Sequence, residues 1–180
     1  MPEVRHARSI ACYAAVRGEV DCTGAIRIAW LRGCRVYLPV VRGRALGFAQ
    51  YARGTRLVGD RFGIPVPAAG RAQPSRARAL DVLVAPVVAF DTDGHRLGTG
   101  GGFYDRTLAF RRGARHRRKP IFIGVAYTFQ QVDAVVVHAH DVPLDAVVTP
   151  HGVRRFTRTA RGTASVMSVT PSTPTVVRTP

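Results

Sequence analysis

Apolar residues are gathered into short runs, not long amphipathic stretches. The main runs are residues 10–16 (IACYAAV), 34–41 (CRVYLPVV), 80–90 (LDVLVAPVVAF), 121–127 (IFIGVAY) and 144–149 (LDAVVT). Runs of this length, rich in β-branched residues and bounded by Gly, Pro and Asp, predict buried strands. Between the first two, RGEVD at 17–21 makes a turn with two carboxylates. Ile26, Ala29, Trp30 and Leu31 then recur at helical spacing, with Thr23 as a cap and Gly33 as a stop. Strand, helix, strand at these lengths reads as a βαβ unit and a mostly parallel sheet. Residues 46–51 alternate and predict a third strand at an edge, and FGIPVP at 62–67 reads as an extended connector. Residues 68–79 read as a surface loop. The 80–90 run is the most apolar and predicts a central strand buried on both faces, with Pro86 ending its regular pairing. Residues 138–143 form a polar loop, and 152–156 can close with a small hairpin. The predicted fold is an α/β three-layer sandwich with a mainly parallel central sheet. It occupies residues 1–156 as one domain, followed by a disordered basic tail rich in Ser, Thr and Pro at 157–180.

One stretch has no apolar pattern and is the candidate for chemistry. The turn signal at 91–94 leads into Arg96, Leu97, Gly98, Thr99, Gly100, Gly101, Gly102, Phe103, Tyr104 and Asp105. Four glycines in five positions free the backbone for positive φ and close approach to a ligand. Successive amide N–H groups in such a loop can cradle an anion, and residues 103–110 can form a helix behind it. Asp105 adds a hard oxygen ligand. On glycine content alone, an empty hairpin loop remains an equal alternative.

Composition narrows the class. Apolar residues make up 46% of 180 residues, enough for one core. The longest apolar runs are too short to span a bilayer, and residues 1–9 do not resemble a signal peptide. Cys12, Cys22 and Cys34 are odd in number and lack CxxC spacing, which fits a reducing cytoplasm. The net charge of +16 rests almost wholly on arginine, and Lys119 is the one lysine. Basic residues cluster at 111–119 and 154–161. Either cluster could contact nucleic acid or an anionic ligand, or simply be a solvated loop and a basic tail. His138 and His140 could chelate Zn²⁺, but no third ligand has suitable spacing, so they read with His95 and His151 as exposed loop residues.

The order of these segments resembles the 5-formyltetrahydrofolate cyclo-ligases, also called 5,10-methenyltetrahydrofolate synthetases. The resemblance is carried by RGEVD at 17–21, RVYLPVV at 35–41, FGIPVP at 62–67, LVAPVVAFDTDGHRLGTGGGFYDRTL at 83–108 and HDVPLDAVVT at 140–149. The string from 89 to 108 is far more specific than a lone GxGxxG. The resemblance implies that Arg96, Leu97, Gly98, Thr99, Gly100, Gly101, Gly102, Phe103 and Tyr104 bind ATP. It implies that Thr99, Gly100, Gly101, Gly102 and Phe103 also face the folate, with Glu19 as a further substrate contact. Asp105 and Asp141 would bind Mg²⁺, and Arg96 and Tyr104 would act at the reacting centre. Tyr104 has packing as an equal alternative.

The implied reaction transfers the γ-phosphoryl group of ATP to the formyl oxygen on N5. N10 then closes the ring, and loss of phosphate gives the methenyl cation, ADP and phosphate. The expected partners are 5-formyltetrahydrofolate and ATP, with no membrane, a possible but secondary nucleic-acid role, and a monomeric chain in the cytoplasm. Family members carry a basic helix before the first strand that reaches the ATP phosphates; here it would lie upstream of Met1. The alternative expectation is therefore a shortened, weak or inactive homologue that binds folate, anions or RNA.

Overall fold

A computed structural model describes residues 1–68, 76–112, 119–157 and 165–166. A short helix α1 (Pro2–Arg5) precedes strand β1 (Ser9–Ala11), helix α2 (Thr23–Leu31), and strands β2 (Arg35–Arg42) and β3 (Ala45–Gln50). A two-strand hairpin follows, β4 (Leu57–Gly59) with β5 (Pro65–Pro67), and then β6 (Val82–Pro86). A second hairpin is made of β7 (Ala89–Phe90) and β8 (Arg96–Leu97). Helix α3 (Phe103–Thr107), β9 (Ile121–Val125), β10 (Ala146–Thr149), β11 (Gly152–Thr157) and β12 (Ser165–Val166) complete the chain.

The central sheet has the order β12-β11-β10-β9-β6-β1-β2-β3. The inner pairs β10/β9, β9/β6, β6/β1 and β1/β2 are parallel. The outer pairs β2/β3, β10/β11 and β11/β12 are antiparallel. A parallel sheet needs cover on both faces, and its side chains alternate accordingly. Ile10, Val36, Leu38, Val82 and Ile123 share one core with Ile26 and Ala29 of α2. Ala11, Tyr37, Leu83, Ala85, Phe122 and Val147 share the other with Leu108, Leu80 and Phe156. The three layers and the mainly parallel sheet are as the apolar runs predict.

Several elements differ in extent from the sequence expectation. Strand 10–16 shortens to β1. Beyond Cys12, whose N–H still reaches Tyr37 O at 3.0 Å, the chain turns away, and the Tyr13 hydroxyl donates to Val20 O at 2.7 Å. Thr23 is the first helical residue and not the acceptor at the cap. Asp21 Oδ1 accepts both its N–H at 2.8 Å and its hydroxyl at 2.6 Å. The 80–90 run divides at Pro86, and Ala89 and Phe90 belong to the second hairpin. The connector at 62–67 is partly strand, as β5. Of the expected tail, Thr157 ends β11 and Ser165–Val166 pair with it; residues 158–164 and 167–180 lie outside the described residues. So do 113–118 of the first basic cluster.

Candidate functional site

The parallel strands all present their carboxyl ends on one side, where ligands bind in such sheets. Four segments meet there: the turn after β1, the hairpin β7–β8 with its Gly-rich extension, α3, and the 138–143 loop before β10.

The hairpin is fixed by Asp91. Its Oδ1 accepts the N–H groups of Asp93 and His95 at 3.0 and 2.9 Å, and its Oδ2 meets the His95 ring at 2.9 Å and the Val135 N–H at 3.2 Å. Burial works to raise the Asp91 carboxyl, but the His95 ring, the His95 N–H and the Val135 N–H hold it below the usual range. His95 is therefore a bonded turn residue and not a free loop histidine. Gly94, at φ 85°, lies in the left-handed region that the turn requires.

Arg96 leaves this hairpin pointing back into the molecule. Its Nη1 donates to Val142 O at 2.5 Å and its Nη2 to Asp105 Oδ1 at 2.9 Å. The guanidinium lies 4.6 Å above the Phe122 ring, on which Tyr104 stacks at 6.0 Å. The same Asp105 Oδ1 accepts the Val142 N–H at 3.0 Å. One peptide segment at Val142 thus clamps the arginine and the carboxylate together, and only 6% and 16% of their side chains remain exposed. The structure brings Arg96, Tyr104, Asp105 and the Asp141–Val142 segment into one place. The role of Val142 is carried by its main chain, so no side-chain signal in the sequence could mark it.

The loop itself is open. Leu97, Gly98, Thr99, Gly100 and Gly101 are exposed, and Gly100 and Gly102 hold φ of 86° and 60°. Among the described residues, the amide N–H groups of 98–102 make no hydrogen bond, which leaves a row of donors without a protein acceptor. The helix behind the loop is shorter than the expected 103–110: α3 ends at Thr107 and a 3-10 turn covers Ala109–Arg111. Its base is tied to β3 through Thr107 Oγ1, which accepts the Leu46 N–H at 2.8 Å and donates to Phe103 O at 2.6 Å. Phe103 meets Phe62 edge to face at 6.4 Å.

Glu19 reaches the site from the turn after β1. It is half-buried, and its Oε2 accepts the Val16 N–H at 3.0 Å. Burial pushes its carboxyl up, against the Val16 N–H and the charge of Arg17, which lower it. Burial and the nearby Glu19 charge raise the Tyr104 phenol, with Arg96 opposing. Tyr104 therefore stays protonated, as a neutral donor close to Glu19.

Two carboxylates could take a cation. Asp105 Oδ2 receives no hydrogen bond among the described residues. Asp141 Oδ2 accepts the His138 N–H at 2.8 Å, and among the described residues its Oδ1 meets only the His140 ring, at 3.8 Å. A magnesium ion is commonly held by one or two carboxylates plus ligand phosphates and water, so this donor set fits it. Among the described residues no group of three or more His, Cys, Asp and Glu could hold a metal without such help. His138 and His140 stack at 5.5 Å on the exposed side of the loop.

Of the first basic cluster, Arg111 is not on the surface. It is fully buried and donates from Nη2 to Asp145 Oδ2 at 2.6 Å. Arg112 Nη1 donates to His140 O at 2.9 Å, and Lys119 Nζ to Asp81 Oδ1 at 2.5 Å. No helix among the described residues is long and apolar enough to cross a membrane.

The family model for the 5-formyltetrahydrofolate cyclo-ligase family matches residues 1–150. The 5-formyltetrahydrofolate cyclo-ligase of Escherichia coli K12 is 39% identical over 155 residues, 84% of this chain and 83% of its own. That of Haemophilus influenzae is 38% identical over 145 residues, 79% of this chain and 75% of its own. The NMR structure of Aquifex aeolicus 5,10-methenyltetrahydrofolate synthetase matches with a TM-score of 0.70 at 32% identity, covering 93% of this chain and 79% of that one. The chain therefore belongs to the 5-formyltetrahydrofolate cyclo-ligase family, a family of ligases.

Proposed function

We propose that the chain converts 5-formyltetrahydrofolate to 5,10-methenyltetrahydrofolate with cleavage of ATP to ADP and phosphate, and that the Gly-rich junction is where the two substrates meet. The observation that carries this reading is the convergence of Arg96, Asp105 and the Val142 peptide beside an open loop whose amides have no acceptor among the described residues. Family membership supplies the reaction; the geometry supports a distribution of roles.

The formyl oxygen on N5 is a weak nucleophile, and its carbon resists attack by N10 because the amide nitrogen donates into it. Transfer of the γ-phosphoryl group to that oxygen makes it a leaving group. N10 attacks the activated carbon and loses its proton as the ring closes. Phosphate then departs, leaving the methenyl cation. No covalent enzyme intermediate is required, so positioning and charge neutralisation can supply most of the rate.

In this reading residues 97–102 hold the ATP phosphates through their amides, while Arg96 neutralises charge at the transferred group. Asp105 Oδ2 and Asp141 would hold Mg²⁺, which neutralises phosphate charge when bound. Glu19 meets the amino groups of the pterin, the segment from Thr99 to Phe103 also faces the folate, and the neutral Tyr104 lies at the reacting centre. A cytoplasmic location accords with three unpaired cysteines, all buried.

The test follows the methenyl product spectrophotometrically from 5-formyltetrahydrofolate and MgATP. Product should form with the unaltered chain and vanish on chelation of Mg²⁺. Asp105→Asn should lower kcat/KM about 100-fold, the loss of a charged contact worth about 1.5–3 kcal/mol. A folded Asp105→Asn variant with unaltered kcat/KM would remove Asp105 from the site.

A further inference from the structure

Arg106 sits directly after the proposed metal ligand, on an exposed part of α3, and a cation there could be taken for another phosphate contact. Its hydrogen bonds point elsewhere. Nη2 donates to Gly101 O at 2.5 Å, and Nε donates to Arg44 O in the turn between β2 and β3. The guanidinium carbon lies 5.1 Å from the centre of the Phe103 ring. The side chain thus joins the Gly-rich loop to the β2–β3 turn through two backbone carbonyls.

A planar trans peptide directs its C=O and N–H to opposite sides. A Gly101 carbonyl held toward Arg106 therefore turns the Gly102 N–H away from it. That N–H has no acceptor among the described residues. The neighbouring backbone is shaped around the same guanidinium. Gly102 holds φ 60°, and a Cβ there would lie 2.8 Å from Arg106 Nη1; a Cβ on Gly101 would lie 2.9 Å from the Phe103 ring. Glycine at these two positions admits the brace as well as the turn.

We propose that Arg106 is a positioning residue: it sets the orientation of the Gly101–Gly102 peptide and so aims the loop's amide donors at the phosphates of MgATP. This rests on the reading of 97–102 as the phosphate loop. Lysine cannot replace it, because one ammonium lacks the planar fork needed to bridge two carbonyls while lying on a ring.

The experiment uses the full chain with Arg106→Ala and Arg106→Lys. Steady-state kinetics in MgATP and amide exchange at the loop with and without MgATP are both measured. Both variants should raise KM for MgATP about tenfold, the scale of one lost hydrogen-bonded constraint, with kcat changed less than KM. MgATP should slow exchange of the 98–102 amides in the unaltered chain and slow it less in Arg106→Ala. Unaltered KM and full protection in Arg106→Ala would overturn the positioning role. So would a normal KM in Arg106→Lys, since charge alone would then suffice and the contact would be with phosphate. Absence of MgATP protection in the unaltered chain would sink the phosphate-loop reading itself.

Discussion

Glu19 is held half-buried with its pKa raised from the ordinary 4.5, chiefly by burial. An acid raised in the fold binds its proton more tightly folded than unfolded. Its ionisation therefore costs stability as pH rises above the ordinary value, and the cost is still present at neutral pH. Glutamine keeps an oxygen for the Val16 N–H and removes the charge. Glu19→Gln should melt above the unaltered chain near pH 7, with the gap closing toward about pH 4, while KM for 5-formyltetrahydrofolate rises about tenfold. Thermal melts at the two pH values check the first part, and a pH-independent gap would contradict it. Glu19 itself was legible only through the RGEVD string. Arg111 shows the limit at this scale: its arginine-rich neighbourhood reads as solvated surface, yet it lies in the core on Asp145. Composition marks a run of like charges but cannot show which member has a buried partner 34 positions later.

At the scale of elements, strands were more legible than their ends. Runs 34–41, 121–127 and 144–149 each contain a strand close to its expected place. The 80–90 run misleads because continuous apolarity cannot distinguish one strand from two joined at a corner. Pro86 marks the break, but the hairpin beyond it depends on long-range partners: Val88 N–H to Leu97 O at 2.8 Å and Gln130 Nε2 to Val87 O at 2.6 Å. That hairpin carries Arg96, so its turn bears on the proposed site. Gly94 combines φ 85° with a neighbour that leaves no room: a Cβ would lie 2.7 Å from the Phe156 ring and 3.2 Å from Leu144 O. Gly94→Ala should therefore lose about 2–4 kcal/mol, from left-handed strain plus overpacking. Urea denaturation measures it, and a loss below about 1 kcal/mol would mean that Phe156 yields freely.

Across the whole molecule, the proposed site lies at the carboxyl ends of the parallel strands, which leaves the opposite end free to serve stability. Asp81 stands at that opposite end, just before β6, and ties three strands together. Its Oδ2 accepts the Arg8 N–H at 2.9 Å and the Ser9 N–H and hydroxyl, each at 3.0 Å, beside β1. Its Oδ1 accepts Lys119 Nζ, two residues before β9. Burial works to raise this carboxyl, but Lys119, the Arg8 N–H and the Ser9 hydroxyl outweigh it and hold it down at about 2. An acid lowered in the fold contributes stability above its ordinary value of 3.8, and that contribution is lost as pH falls toward 2. The shift corresponds to about 1–2 kcal/mol once the exposure of Lys119 is allowed for. Asp81→Asn should be less stable by about that amount near neutral pH, with the difference vanishing by about pH 2. Because the proposed site lies at the other end of the sheet, KM for both substrates should be unchanged in the folded variant. Urea titrations over this pH range and kinetics at neutral pH test the two halves separately. A difference that persists undiminished to about pH 2 would assign the effect to packing at β1 instead of the ionised carboxylate. A changed KM would mean that the two ends of the sheet are coupled.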